Sequence, residues 1–283
     1  MIAEADNNPN ILVPLDLTDL SPIAIEHAFH IAQQAAADLH FCHWVNHEDD
    51  ISSATEKITE LVNAAEGKVE AHIEYIISVK KGEYMKEIAD KSRELKAMLV
   101  IIGTHRLQGF EFFVGTHAIR IVGEVEAPVM VVQEKGVPVG GYKHITVPME
   151  LEVESKQKLP VVAKMAKLFG STVHLFTPST NDEYYRNALW RNLKYAKDYL
   201  QERRIPVTTD IAEERQKDLD EAVEKQIEKN DTNLIIITNW HQSKVIDLFR
   251  SEDTQEIMMN EHMIPVILVN PREVGTFDLF GWG

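Results

Sequence analysis

The sequence contains few of the residues that several large classes of protein need. Cys42 is the only cysteine among 283 residues, so neither an intramolecular disulfide nor a cysteine-based zinc cluster can form. Basic residues are also scarce, with 29 Lys and Arg against 45 Asp and Glu, and the net charge of −16 repels nucleic-acid phosphates and anionic membranes at long range. We therefore expect neither nucleic acid nor a membrane as a partner.

The sequence has no long apolar run. No run approaches the roughly 20 residues that cross a bilayer, and the start, MIAEADNNPN, lacks the basic and apolar regions of a signal peptide. Catalytic patterns are equally scarce, because no Ser-His-Asp order, carboxylate pair or intact phosphate-binding lysine loop stands out. The 12 histidines gather no metal-binding set at recognisable spacing. We expect a soluble cytoplasmic protein that acts by binding and not by turnover.

Apolar runs of strand length alternate with segments of helical periodicity along the chain. The first part predicts strands at residues 11–15, 39–45, 69–79 and 98–102, with helices between them. Strands that alternate with helices of this length form parallel βαβ units, with helices on both faces of the sheet. With 44% hydrophobic residues the chain can supply two cores of this kind.

The pattern restarts behind a glycine-rich segment, EKGVPVGGY at residues 134–142, which we interpret as a domain linker. Three pairs of segments match at offsets of 134, 135 and 137 respectively: residues 11–16 with 145–150, 99–104 with 234–239, and 127–129 with 264–266. Offsets that grow only by small insertions indicate two copies of one fold. We predict domains at residues 1–135 and 142–283, and a helix at residues 154–169 of the second copy.

The stretch of residues 98–132 combines a strand, a glycine-bearing loop, a helix that opens at Thr116 and a last strand. The loop carries Gly103, Gly109 and Gly115. Glycine lets the backbone come close to a ligand, and the free amides at a helix N-terminus attract a phosphate. The loop is therefore a candidate phosphate site, although glycines before a helix are common and their spacing alone is weak evidence.

These motifs resemble the end of a universal stress protein domain. In that family the loop runs Gly, two residues, Gly, nine residues, Gly, then Ser or Thr. Gly103, Gly115 and Thr116 match this pattern, but Arg106 stands at the middle glycine and the loop is one residue short. Since the internal repeat covers both copies, nearly the whole chain resembles a tandem universal stress protein.

The resemblance implies a fold of the α/β class. Each domain is expected to be Rossmann-like, of the adenine nucleotide alpha hydrolase-like type, with a five-stranded parallel sheet in three α/β/α layers. Such domains usually pair through their last strands, which implies an internal pseudo-dimer through residues 129–133 and 266–270. Pairing of this kind also removes two apolar sheet edges.

The resemblance also implies a site for ATP or another adenine nucleotide in the first copy, with these candidate residues: Asp16, Trp44, Gly103, Arg106, Gly109, Gly115 and Thr116. The family's Asp at this place contacts adenosine, but an Asp after a strand equally suits helix capping or loop bracing. Trp44 replaces a small residue, so its indole either stacks on the base or, as we favour, fills the adenine cavity. Arg106 either binds phosphate through its guanidinium group or pairs with Glu111.

The second copy departs further from the family pattern. Its loop, residues 238–251, contains no glycine, and Arg250 stands where the first copy has Gly115. Glu150 replaces Asp16, and we expect its side chain to be solvated. The second copy is therefore not expected to bind a nucleotide in the usual way.

Two alternatives remain to a protein that binds a nucleotide but does not hydrolyse it. One is a weak ATPase that uses the same site. The other is a scaffold without a nucleotide, which would present the loop Phe110–Phe113 and the aromatic tail at residues 275–283 to an unknown protein partner or to a second copy of the chain.

Overall fold

The computed structural model describes residues 8–69, 71–104, 116–215, 218–239 and 249–271. The elements of the first half are β1 (Asn10–Pro14), α1 (Ser21–Ala35), β2 (Asp38–Val45), α2 (Ile51–Glu66), β3 (Tyr75–Lys81), α3 (Tyr84–Leu95), β4 (Leu99–Gly103), α4 (Thr116–Glu124) and β5 (Val129–Val132). Those of the second half are β6 (His144–Pro148), α5 (Leu159–Phe169), β7 (Thr172–Ser179), α6 (Glu183–Glu202), β8 (Val207–Arg215), α7 (Leu219–Asn230), β9 (Leu234–Thr238), α8 (Phe249–Met258) and β10 (Val266–Val269). Strands and helices alternate in both halves, as the sequence predicts.

The strands form one ten-stranded sheet in the order β3-β2-β1-β4-β5-β10-β9-β6-β7-β8. Neighbouring strands within each half are parallel, and β5 and β10 join the halves as an antiparallel pair. Two apolar clusters cover the two faces of this sheet, so the helices form the outer layers. The α/β class and the pairing through the last strands are confirmed.

The sheet register reproduces the repeat seen in the sequence. Pro14 lies opposite Cys42 in the first half, and Pro148 lies opposite Phe176 in the second, which is the same pair shifted by 134. The antiparallel joint is centred on Met130 and Ile267, two residues related by the offset of 137. The chain therefore has an internal pseudo-two-fold relation, and the axis passes through the β5–β10 pair.

Two amides reinforce the joint by bonding to helix ends of the opposite half. Asn270, which follows β10, donates through Nδ2 to the carbonyls of Val122 and Val125 at the end of α4, both at 2.6 Å. Gln133, which follows β5, donates to the carbonyl of Met258 at the end of α8 at 3.2 Å. Because the last carbonyls of a helix have no partner within it, each half satisfies part of the other's helix terminus.

The linker is fixed to the first half by a buried tyrosine. The hydroxyl of Tyr142 lies 2.5 Å from Nδ1 of His27, and Nε2 of His27 lies 3.2 Å from the carbonyl of Lys135. A carbonyl can only accept, so Nε2 carries the proton and Nδ1 accepts from the tyrosine. The Tyr142 ring also meets Phe169 of α5 edge-on at 4.8 Å, and it thereby bridges the two halves.

Two predicted elements start at other residues in the structure. The third strand begins at Tyr75 and not at residue 69. The helix expected from residue 154 begins at Leu159, behind a 3-10 segment, Val153–Lys158. Pro160 explains the second difference in part, because proline is tolerated only in the first turn of an α-helix. Among the described residues, none of the helices has the length and apolar character needed to cross a membrane.

Candidate functional site

The candidate site lies where the strand order of the first half changes direction. β1 pairs with β2 on one side and with β4 on the other, so the chain winds away from this point in both directions. Ligands of open α/β sheets bind at the carboxyl ends of the strands at such a switch point. Asp16 follows β1 and Gly103 ends β4, so the two residues lie at the same edge of the sheet.

Asp16 braces the loop that follows β1. Its Oδ1 accepts hydrogen bonds from the amide of Thr18 at 3.0 Å, the hydroxyl of Thr18 at 2.7 Å and the hydroxyl of Ser21 at 3.3 Å. Leu17, inside this turn, has φ +61°, a conformation that costs a non-glycine residue on the order of 1 kcal/mol. Asp16 itself remains exposed to solvent. One carboxylate oxygen thus holds the loop shape while the charged group stays at the surface.

Trp44 is packed against its own domain. Its ring meets Tyr84, the first residue of α3, at a centroid distance of 5.8 Å and an angle of 82°. A Cβ added to Gly82 would lie 3.0 Å from Cδ1 of Trp44, so the loop before α3 fits closely over the indole. The pKa of Tyr84 is raised, first by burial and then by the negative charge of Asp16, which shows that this aromatic pair and Asp16 share one region.

Gly103 has a packing role. A Cβ at this position would lie 2.8 Å from Cβ of Leu20, a distance that real Cβ atoms do not tolerate. Leu20 is 1% exposed and lies at the start of α1. A side chain at Gly103 would therefore push α1 away from β4.

Three of the predicted loop residues, Arg106, Gly109 and Gly115, lie outside the described residues, as does the loop Phe110–Phe113. Thr116 is the first residue of α4, as the sequence predicts. The aromatic tail and Arg250's side chain are also outside the described part of the chain.

The equivalent place in the second half contains a buried ion pair. Glu150 is 1% exposed and Lys158 is 0% exposed, and Nζ of Lys158 lies 2.8 Å from Oε2 of Glu150. The hydroxyl of Ser155 donates a short hydrogen bond to the same oxygen. The expectation that Glu150 is solvated is wrong, because the 3-10 segment turns Ser155 and Lys158 inward to neutralise it.

Burial and charge act in opposite directions on Lys158. Burial lowers the pKa of the ammonium group, and the neighbouring carboxylate of Glu150 opposes that shift. Asn192 of α6 adds two bonds, from Nδ2 to the carbonyls of Glu150 at 2.8 Å and Leu151 at 3.0 Å. The side chains of Glu150 and Lys158 are thus bonded to other groups of the protein. Sequence reasoning missed Lys158, whose equivalent in the first half is Ala24, and it missed Tyr84 as the partner of Trp44.

Two of the histidines and the cysteine have structural roles. His27 is bonded to the linker, and Nε2 of His40 lies 2.8 Å from Oδ1 of Asn10. Burial raises the pKa of the Cys42 thiol to about 11, so this side chain behaves as a small core residue. None of these groups contributes to the edge where Asp16 lies.

Comparisons with known proteins agree with this architecture. The model of the Universal stress protein family matches residues 7–133. A crystal structure of a universal stress protein from Archaeoglobus fulgidus DSM 4304 covers 94% of this chain and 97% of its own, with a TM-score of 0.71 and 14% identity. A functionally unknown protein from Pseudomonas aeruginosa PAO1 covers 93% of this chain and 92% of its own, with a TM-score of 0.65 and 13% identity. Both similarities concern the fold alone, and both extend over the two halves of the chain. A search of curated protein sequences finds no match.

Proposed function

We propose that this chain, whose residues 7–133 match the model of the Universal stress protein family, is a stress-response protein that binds an adenine nucleotide in its first half alone. Its mode of action is binding, with signalling to a partner, and not turnover. The second half serves as the internal partner that covers the open edge of β5.

The exposed carboxylate of Asp16 is the observation that carries this proposal. It lies at the switch point of the first half, and its bonds to the loop use Oδ1. A carboxylate at this edge can accept hydrogen bonds from the hydroxyls of a ribose or from an adenine amino group. The strained turn at Leu17 supports a functional role, because strain of this kind is often kept where a group must be held in position.

The contrast with the second half supports the restriction to one site. There, the equivalent carboxylate of Glu150 is already bound by Lys158 and Ser155 and is closed off from solvent. A nucleotide would have to displace an ion pair that is bonded inside the protein. Such an exchange leaves buried charges without partners and is costly.

The remaining members of the proposed site have distinct roles. Gly103 lets the loop start close to α1, and Gly109 and Gly115 supply bare backbone near the phosphates. The amide of Thr116, at the start of α4, offers the positive end of the helix dipole to them. Arg106 adds a guanidinium group in place of the family's middle glycine.

The proposal is tested by the dependence of thermal stability on ATP, with two variants of one loop. A ligand at a hundred times its dissociation constant stabilises the folded state by about 2.7 kcal/mol. We expect ATP to raise the melting temperature of the wild type and of Asp19→Asn, the matched control, whose side chain is also exposed. Asp16→Asn keeps an acceptor for Thr18 but loses the charge, and we expect about tenfold weaker binding.

A melting temperature that does not respond to millimolar ATP, or that responds equally in both variants, would reject the nucleotide site. The fold would then remain as a scaffold for a protein partner. If the wild type released phosphate from ATP and Asp16→Asn did not, the proposed function would change from nucleotide binding to slow ATP hydrolysis.

The role of Trp44 is resolved by Trp44→Ala in the same titration. If the indole stacks on the base, its removal weakens ATP binding, since stacking of a base on an aromatic ring contributes about 1–3 kcal/mol. If the indole fills part of the base site, the smaller side chain makes room and ATP binds more tightly. Tyr84→Phe serves as the control, because it keeps the ring packed against Trp44 and removes only the hydroxyl.

A further inference from the structure

Helix α6 differs in charge from the chain as a whole. The chain has a net charge of −16, yet α6 carries four basic residues and three acidic ones. Its sequence also contains exposed aromatic rings: Tyr184, Tyr185, Trp190 and Tyr195. Large aromatic rings are seldom left half exposed without a reason, because they have much apolar area to bury.

Part of this helix lines a groove of about 440 Å³ between α6 and β8. Its lining consists of Asn187, Trp190, Arg191, Leu193, Lys194, Lys197 and Thr209. Four of them, Asn187, Trp190, Lys194 and Lys197, follow one another at spacings of three and four positions and share one face of the helix, and Arg191 and Leu193 flank this face. The volume is in the range of small-molecule sites, about 300–1,000 Å³.

Two of the three cations in the groove lack an ion-pair partner in the part of the chain that is described. Lys194 pairs with Asp198 one helical turn later at 2.5 Å. Arg191 and Lys197 form no such pair with the described residues. Beside them, Trp190 keeps 51% of its surface exposed, so a flat apolar surface and two positive charges lie next to one another.

The far wall of the groove belongs to an edge of the sheet. β8 is the last strand in the sheet order and pairs with β7. Thr209 shares a face of β8 with Val207, which packs on the core cluster beneath α5 and α6, so its hydroxyl points toward the same layer as α6. Thr209 and Asn187 thus add uncharged polar groups at the rim of the groove.

We propose that this groove binds a small planar anion, an aromatic ring that carries a carboxylate or a phosphate. The ring lies against Trp190, and the acidic group lies between Arg191 and Lys197, where a guanidinium group can donate two parallel hydrogen bonds. A long polyanion fits less well, since the net charge of −16 on the whole chain repels it. The site is separate from the proposed nucleotide site, which lies in the other half.

The test is a titration followed by fluorine NMR of protein labelled with 5-fluorotryptophan. The chain has four tryptophans, and Trp190→Phe assigns the signal of Trp190. The probes are 1-naphthoate, 1-naphthyl phosphate, the neutral 1-naphthamide and inorganic phosphate. We expect saturable shifts of the Trp190 signal with one or both of the aromatic anions, and at least about tenfold weaker effects of the amide and of phosphate.

Charge variants in α6 and just after it provide the matched control. Arg191→Gln with Lys197→Gln is expected to weaken binding of the aromatic anion at least about tenfold. Arg186→Gln with Arg204→Gln removes the same charge from exposed positions outside the groove and leaves the affinity unchanged. A response to naphthoate or to naphthyl phosphate alone supports the site and identifies the acidic group that it prefers.

Three results would overturn the proposal: no saturable shift of the Trp190 signal at millimolar anion, equal binding of the neutral amide, or equal affinity of the two double variants. A shift of the Trp44 signal in the absence of a shift at Trp190 would also count against it. That last result leaves the nucleotide proposal intact, because Trp44 lies in the first half.

Discussion

The switch points of the two halves have equivalent strand pairings, and they differ in the solvent exposure and the bonding of one carboxylate. In the first half Asp16 is exposed, and its hydrogen bonds to the described residues lie within its own loop. In the second half Glu150 is buried, and Lys158 neutralises it. A sheet edge with an exposed carboxylate is suited to binding a ligand, whereas an edge whose carboxylate is buried in an ion pair is suited to structural support. One duplicated fold can therefore separate these two tasks between its copies.

The largest effect is expected from breaking the buried pair of the second half. Lys158→Met leaves Glu150 buried without its cation, so we expect the free energy of unfolding in urea to fall by about 3–5 kcal/mol. Lys167→Met, at an exposed position near the end of α5, is the control and should change it by less than about 0.5 kcal/mol. Adding Glu150→Met to Lys158→Met should recover most of the loss, because an apolar pair needs no charge balance. A loss below about 1 kcal/mol in the single variant would contradict the assignment of the pair as buried.

The next largest effect is expected where His27 bonds to the linker, and it is a dependence of stability on pH. His27 of α1 corresponds to Val161 of α5 at the offset of 134, and only the histidine is bonded to the linker. Burial lowers the pKa of His27 from 6.5 to about 4. The unfolded chain therefore takes up a proton at a higher pH than the folded chain does. Stability is lost as the pH falls from about 6.5 to about 4, by about 3 kcal/mol in all.

Because other buried histidines also titrate, the measurement is a difference between variants. We expect the stability of His27→Gln to fall less steeply between neutral pH and pH 4 than that of the wild type. His72→Gln, whose ring is 79% exposed in the wild type, should follow the wild-type curve. Identical curves for wild type and His27→Gln would show that the His27–Tyr142 contact does not exclude the proton.

The joint between the halves is nearly symmetric, and its small asymmetry can be measured. Asn270→Ala removes two bonds to the end of α4 and the bond that Oδ1 accepts from Asn239 at 2.6 Å, so we expect a loss of about 2 kcal/mol or more. Gln133→Ala removes one longer bond to the end of α8, and its Oε1 has no partner in the described chain, so we expect about 1 kcal/mol or less. Unfolding in urea provides the measurement, and equal losses would argue against this asymmetry.

The sequence predicts the layout of the chain much better than the details of its edges. Residues that pair across strands in the first half recur as paired residues in the second half at the same offsets of 134, 135 and 137. The repeat is visible in the sequence because the strand register determines which residues of each strand face the core and must be apolar. The burial of Glu150 was not predictable in this way. It depends on Lys158, a charged residue that a helical pattern assigns to a solvated face, and on a 3-10 segment that turns it inward.

The smallest change in the free energy of unfolding is expected for Asp16 variants without ligand. This change gives the most direct comparison between the sheet edge at Asp16 and the edge at Glu150. Asp16→Asn keeps an oxygen that accepts the bonds from Thr18, and the lost charge is exposed, so the ligand-free protein should lose less than about 0.5 kcal/mol. Glu150→Gln makes the same chemical change in the second half but removes the carboxylate that is bonded to the buried Lys158 ammonium, which should cost about 3 kcal/mol or more. Urea unfolding of both variants measures this difference. If the two losses were equal, Asp16 would have to contribute to folding as Glu150 does, and its carboxylate would no longer be available to a ligand.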